Sequence, residues 1–337
     1  MDETPEYLLG YQLRRDPQLA DWQLLDQRQR LLLRGSLQDC AKLRLRLLRQ
    51  RYGPGRMNLP LRTFGGRQLW MDILLCAGWR IQQHVVSGHA RLLDPQLRRR
   101  AWGSVAQMRI HLETERLRQG LRWQQPQLVL LVHGILRSAQ SMNGLARHLN
   151  DQGFQAHTLT YASSQVGVER AGACLANLIQ GLVGIDRLDL VGHSMGSLVI
   201  RQALAQLGPE QQARIGRLVF LGPPSQGSMV AESMHDWWLY RWLTGPAGQD
   251  LRPGSAQQLA VPNHPTLVIA GSRGIGIGRL RGIGKESDGT VSLEEAQLPG
   301  ATLHTLPTGH SFMMDNVEAQ VAVWAWLRGE QPPRAGS

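Results

Sequence analysis

The stretch that decides the fold is Leu188 to Ser197, LDLVGHSMGS. Leu188 to Val191 is an apolar run that reads as a buried strand, and Ser197 to Gln206 (SLVIRQALAQ) carries apolar residues at helical spacing. Between them, Gly192 and Gly196 flank Ser194 two positions away on either side. A strand that reverses sharply into a helix leaves almost no room for side chains at those two positions, and glycine tolerates the unusual backbone angles of such a turn. The spacing predicts a strained elbow that projects the Ser194 hydroxyl into open space. In a chain with 37 glycines the bare pattern G-x-S-x-G arises cheaply. Its position between a strand and a helix gives it weight.

Working outward, strands and helices alternate from Gln127 onward. Strand LVLLV (128–132) leads to a helix near 141–151, strand AHTLTY (156–161) and helix GVERAGACLANLIQGL (167–182). After the elbow and its helix come strands RLVFLG (217–222), TLVIAG (266–271) and ATLHTL (301–306), then a last helix to about Leu327. Repeated β-then-α with near-continuous apolar strands implies a mostly parallel sheet covered on both faces.

In such a sheet the reactive groups lie beyond the carboxyl ends of the strands. A serine hydroxyl is a poor nucleophile until a base takes its proton, and the base needs a partner that fixes its tautomer. Of the eleven histidines, His304 is expected inside a strand. His310, in Thr308-Gly309-His310, follows that strand in a loop able to swing toward Ser194, and is the candidate base. The acid is expected between nucleophile and base in chain order. Asp288, in ESDGT after strand 266–271, is the candidate, with Glu286, Glu294 and Asp250 as competitors. A developing oxyanion needs two preorganised N–H donors. Met195 is expected to supply one. Ile135, in His133-Gly134-Ile135-Leu136, is expected to supply the other, with Leu136 as the alternative. His133 and His193 are expected to brace these loops rather than move protons.

VLLVHGILRS, GHSMG, LVFLGPPSQGS, SDGTVSLEEAQLPG and TGHSFMM, taken together and in that order, resemble the bacterial lipase and esterase branch of the α/β-hydrolase superfamily over about residues 126–328. The resemblance implies an α/β-hydrolase fold and ester hydrolysis through an acyl-enzyme, with no metal and no organic cofactor. It implies Ser194 as nucleophile, Asp288 as acid, His310 as base, and Ile135 with Met195 as oxyanion donors. Acyl transfer or thioester cleavage by the same triad is the alternative within enzymes. From another class, a non-catalytic membrane- or partner-binding protein would act through the basic N-terminal region.

The insertion at 228–260 contains MHDWWLYRWL. Its Trp237, Trp238 and Trp242 either cover an acyl chain as a lid or pack as a helix on the domain, and with Leu136 they are the candidate contacts of a hydrophobic ester substrate. The glycine-rich 274–284 lacks a Walker lysine and a following helix, so it reads as a loop rather than a phosphate cradle.

The first third of the chain is different. Residues 1–120 hold 21 Lys and Arg against 11 Asp and Glu, 21 − 11 = +10 of the total +11. Residues 1–55 are expected to form a basic helical extension ending at Gly53-Pro54-Gly55. Residues 56–125 are expected to form a linker, a hairpin near 79–94 and a helix over 98–119 leading into the domain at 126–330. The hairpin is the candidate for the antiparallel strands with which the α/β-hydrolase fold begins. Arginines interleaved with leucines, as in KLRLRLLRQR (42–51), read either as a solvated helix face or as peripheral contact with anionic membrane. No nucleic-acid motif accompanies them. Three scattered cysteines suggest neither disulfides nor a metal site, and the acidic start MDETPEYLLG does not read as a secretory signal. A cytoplasmic protein, free or peripheral to the membrane, is therefore expected.

Overall fold

The computed structural model describes residues 6–17, 19, 21–53, 56–62, 67–227, 256–274 and 286–333, with backbone alone for 56–62. The chain divides into two units, one of Met1–Phe64 with Leu74–Trp123 and one of Gly65–Ile73 with Gln124–Ser337.

In the first unit, β1 (Glu6–Leu8), β2 (Tyr11–Arg15), β3 (Trp22–Leu25) and β4 (Leu31–Gly35) form an antiparallel sheet in sequence order, followed by α1 (Leu37–Tyr52). The second half repeats the construction. The strands β5 (Arg56–Arg62), β6 (Trp70–Cys76, of which Leu74–Cys76 lie in this unit), β7 (Trp79–His84), β8 (Ala90–Leu93) and β9 (Arg98–Gly103) form a sheet in the order β5-β9-β8-β7-β6, followed by α2 (Val105–Gln119). Both helices begin after a Gly-Ser pair. Ser36 and Ser104 each accept a hydrogen bond from the third helical N–H, Asp39 at 3.1 Å and Gln107 at 3.2 Å, which supplies a partner to an otherwise orphaned donor.

Three expectations are corrected here. The helix expected over the N-terminal 55 residues exists only from Leu37, because YQLRR, WQLL and LLLRG are short strands whose inward residues, such as Leu13 and Leu24, pack on Cys40 and Ala41 of α1. The helix expected from 98 starts at Val105, after the strand RRRAWG. The hairpin is present as β7 and β8, but it belongs to the first unit's five-stranded sheet rather than opening the parallel one, so 56–125 is not a linker region.

In the second unit, β10 (Gln127–Val132), α3 (Asn143–Asp151), β11 (Ala156–Leu159), α4 (Val168–Gln180), β12 (Arg187–His193), α5 (Met195–Leu204), α6 (Pro209–Ala213), β13 (Ile215–Leu221), β14 (Thr266–Gly271), α7 (Leu293–Ala296), β15 (Thr302–Leu306) and α8 (Val317–Arg328) follow in turn. Six parallel strands pair in the order β11-β10-β12-β13-β14-β15. Val129, Leu131, Val191, Val219, Leu221, Leu267 and Ile269 form one core with α3 and α8 residues such as Leu145, Leu149, Val323 and Trp326. The alternate positions Leu130, Leu190, Phe220 and Val268, also buried, point to the opposite face by the twofold period of a strand. This is the α/β-hydrolase fold, with a doubly covered parallel sheet. Among the described residues no helix is long and apolar enough to cross a membrane.

Candidate active site

Ser194 sits between the end of β12 and the first residue of α5 with φ 52° and ψ −124°, a left-handed conformation that a residue with a Cβ rarely adopts. Its neighbours hold it there. The Ser194 N–H donates to Leu221 O at 2.9 Å, and the Ser194 carbonyl accepts from Ser197 N–H at 3.0 Å. A Cβ on Gly192 would lie 2.7 Å from Ser197 N and 2.8 Å from its Cα, and one on Gly196 would strike the carbonyls of Val132 and His133. The elbow is closed tightly enough to exclude both. Met195 opens α5, so its N–H is one of the first-turn donors with no intrahelical acceptor, at the positive end of the helix dipole.

Asp288 lies in the turn after β14 and is buried. Its Oδ1 accepts the N–H groups of Thr290 at 2.9 Å and Val291 at 2.7 Å, which orients Oδ2 toward His310 Nδ1 at 2.6 Å. A second link, His310 N–H to Asp288 O at 2.9 Å, ties the two backbones. His310 Nε2 then lies 3.0 Å from Ser194 Oγ. A carboxylate only accepts, so Nδ1 donates to Asp288 and Nε2 is left as the acceptor facing the hydroxyl. Among the described residues Asp288 is the carboxylate that meets His310. Asp250 lies outside them, and the imidazole takes Asp288 rather than Glu286 or Glu294 as its carboxylate partner.

The loop after β10 is braced from several sides. His133 Nδ1 donates to Gly134 O at 2.9 Å, the His133 ring stacks on Tyr161 with centroids 4.3 Å apart, and Tyr161 Oη donates to His133 O at 2.7 Å. Gln68 Nε2 donates to Arg137 O at 2.6 Å, while Gln68 Oε1 accepts from the Ser163 and Ser164 hydroxyls at 3.1 Å. Ile135 and Leu136 are carried between these anchors, with Leu136 at φ 57° and half exposed. The loop lies against the elbow, for a Cβ on Gly134 would be 3.0 Å from His193 Nδ1 and 3.1 Å from Ser194 Cβ.

His193 Nε2 donates to His310 O at 3.0 Å, the two rings tilted with centroids 4.9 Å apart, and Nδ1 is buried with no partner among the described residues. Burial pushes His133 down to about 4, against the opposing pull of its hydrogen bonds. Burial also takes His193 well below the usual histidine value, with His310 beside it adding to the shift. Both imidazoles are neutral near pH 7 and act as braces.

Sequence reasoning did not single out several supports. Gly222, directly after β13, has φ 54°, and a Cβ there would lie 2.9 Å from both Asp288 Oδ2 and His310 Nδ1. Gly274, read as the start of a loose loop, is pressed on the Asp288–Gly289 backbone with no space for a Cβ, and its N–H donates to Ser287 O at 2.8 Å. Both glycines stand in quoted motifs or tracts, yet only knowledge of which strand ends meet would have marked them. Buried Arg201 on α5 donates to the carbonyls of Ser225, Leu259 and Ala260, and burial lowers it to about 10. Phe312, two residues beyond His310, is exposed. Trp237, Trp238 and Trp242 lie outside the described residues.

Residues 127–268 match the alpha/beta hydrolase fold family. No curated protein matches the chain. Among solved structures it is similar to the mature form of the Bacillus licheniformis lipase BlEst2, at 22% identity and TM-score 0.48 over 55% of this chain and 85% of that one. It is also similar to the metagenomic carboxyl esterase MGS0156, at 21% identity and TM-score 0.47 over 55% of this chain and 64% of that one. A further likeness is to a thermophilic esterase from Thermogutta terrifontis, at 17% identity and TM-score 0.41 over 60% and 89% respectively.

Proposed function

We propose that this chain is a serine hydrolase that cleaves carboxylic esters of hydrophobic acids through an acyl-enzyme. The observation that carries the reading is the relay Ser194 Oγ, His310 Nε2, His310 Nδ1 and Asp288 Oδ2, spaced at 3.0 and 2.6 Å and mounted on three separate strand ends. His310 takes the hydroxyl proton as Ser194 Oγ attacks the ester carbonyl. Asp288 holds the Nδ1–H tautomer and stabilises the imidazolium that forms. The N–H groups of Met195 and Ile135 receive the oxyanion. As the tetrahedral adduct collapses, the C–O bond to the alcohol breaks and His310 returns its proton to the departing oxygen. Water then repeats the sequence on the acyl-serine, releasing the acid. Leu136 and Phe312, both exposed beside the site, offer apolar surface to the acyl part of the substrate.

The test is hydrolysis of p-nitrophenyl esters from acetate to palmitate, with fluorophosphonate labelling read by mass spectrometry. Wild type is expected to turn over and to label at Ser194, and Ser194→Ala to lose both, the rate falling on the order of 10⁴-fold or more. A folded wild type that neither labels nor turns over any ester overturns the proposal.

A further inference from the structure

The two helices of the first unit border a groove of about 650 Å³. We infer that this groove is a docking surface for a bilayer containing anionic phospholipid. The inference stands apart from ester hydrolysis, since it concerns a different unit and different residues.

Every charged side chain that lines the groove is a cation, Lys42, Arg46 and Arg49 from α1 and Arg118 from α2. The three on α1 are spaced by four and three residues, which stacks them along one helix face, and all three are exposed. They are not needed to join the helices. That task falls to a buried cluster in which Arg44 Nη2 meets Glu113 at 2.7 Å and Arg116 meets Glu113 and Glu6 at 2.8 and 2.7 Å. Among the described residues Arg49 reaches only the Thr114 hydroxyl, at 3.0 Å, and Arg118 pairs with Glu115 at 2.7 Å. Lys42 and Arg46 form no ion pair among the described residues.

The floor gives the second half of the argument. Leu45 and Leu117 line the groove between the cations, and Leu117 is 37% exposed. A soluble polyanion satisfies the rim and leaves that apolar surface unused. A phospholipid surface satisfies both, its phosphates meeting the guanidinium forks while long cationic stems lie along its apolar part. The groove's four cations lie within residues 1–120, the region that holds nearly all the chain's net charge.

The test is co-sedimentation of the full chain with vesicles of phosphatidylcholine alone or mixed with phosphatidylglycerol, at low and high salt. Wild type is expected to partition onto the mixed vesicles and to be released by salt. Combined Lys42→Gln, Arg46→Gln and Arg49→Gln is expected to weaken partitioning roughly fivefold per cation, on the order of a hundredfold in all. A control that removes equal charge elsewhere, Arg28→Gln, Arg122→Gln and Arg147→Gln, is expected to retain binding, with far-UV circular dichroism checking both proteins for folding. Equal binding to neutral and anionic vesicles overturns the inference, as does an equal loss in groove variant and control. Retention of a short DNA duplex through these three cations without vesicle binding also overturns it.

Discussion

The two units reach a stable interior by opposite routes. In the second, strands such as LVLLV and LVIAG are buried along their whole length, and Ser194, Asp288 and His310 follow strand ends, where they build the site. In the first, strands such as LLLRG expose alternate residues, and fully enclosed charge lies inside the unit, Arg44 being among the largest buried side chains. The apolar unit depends on close backbone approach, and its sensitive positions are glycines. The charged unit depends on neutralisation, and its sensitive positions are ion partners.

The largest effect expected from that contrast is in the first unit. Arg44→Met takes one cation from Glu113 and Glu6 while Arg116 stays on both, so the cost should be about 3 kcal/mol, the low end for a broken buried pair. Hydrogen exchange should show α1 and α2 amides losing protection by roughly a hundredfold, with β10 to β14 unchanged. Equal loss in both units would erase the distinction. Next is Gly222→Ala, which puts a methyl 2.9 Å from both partners of the Asp288–His310 bond. Ester turnover should fall about a hundredfold, the scale of a 1 Å misplacement, in a protein still folded by circular dichroism. The low-field proton resonance of His310 Nδ1–H should shift or vanish. An unchanged rate would mean that the pair does not need this clearance.

How far each unit could be read beforehand follows from the same physics. Long apolar runs ending in glycine announced the parallel sheet, and chain order beyond strand ends singled out Ser194, Asp288 and His310, which the structure brings together. The braces were not legible. Gln68 lies in an unremarkable GGRQLW tract, some 70 residues from the Arg137 carbonyl it holds, and nothing local marks it. Gly222 was quoted within a motif without a reason, because its role depends on two side chains arriving from later strands. In the first unit leucine and arginine suit a short half-buried strand as well as an amphipathic helix, so residues 11–35 read as helix until strand pairing decided otherwise.

Acid should separate the units in a titration. His133 is depressed to about 4 by burial, so an unfolded chain binds its proton first as pH falls below 6.5. The stability it contributes is complete above 6.5 and is lost progressively toward 4, about 2 kcal/mol of it by pH 5. His193, depressed in the same direction, adds to this loss. Glu113 opposes it in position, not in sign. Burial raises its carboxyl, but Arg116 and Arg44 outweigh that and hold it below 4.5, so the first unit keeps this contribution until pH falls below 4.5. Exchange protection should therefore weaken chiefly in the second unit between pH 6.5 and 5, the first losing there only what the exposed His89, itself lowered by desolvation, contributes, and losing the Glu113 contribution below 4.5. Loss in the reverse order would show that other groups govern acid unfolding.

The smallest effect tests how finely the apolar unit is tuned. His193 is wedged between the loop after β10 and the residue that faces Ser194, with Gly134 against one edge of its ring and the His310 carbonyl on its Nε2. It touches no reacting atom in the proposed mechanism, so it is a positioning residue. Removing one hydrogen bond of about 1 kcal/mol should slow kcat some five- to tenfold in His193→Phe while leaving KM within a factor of two. Gln at this position can again donate to the His310 carbonyl, and His193→Gln should recover part of the loss. A merely structural role would lower thermal stability in both variants alike and leave kcat per folded molecule unchanged. Because the buried imidazole is already neutral, the pH profile of kcat should keep its shape in His193→Gln, and a displaced acid limb would mean that His193 takes part in proton transfer after all.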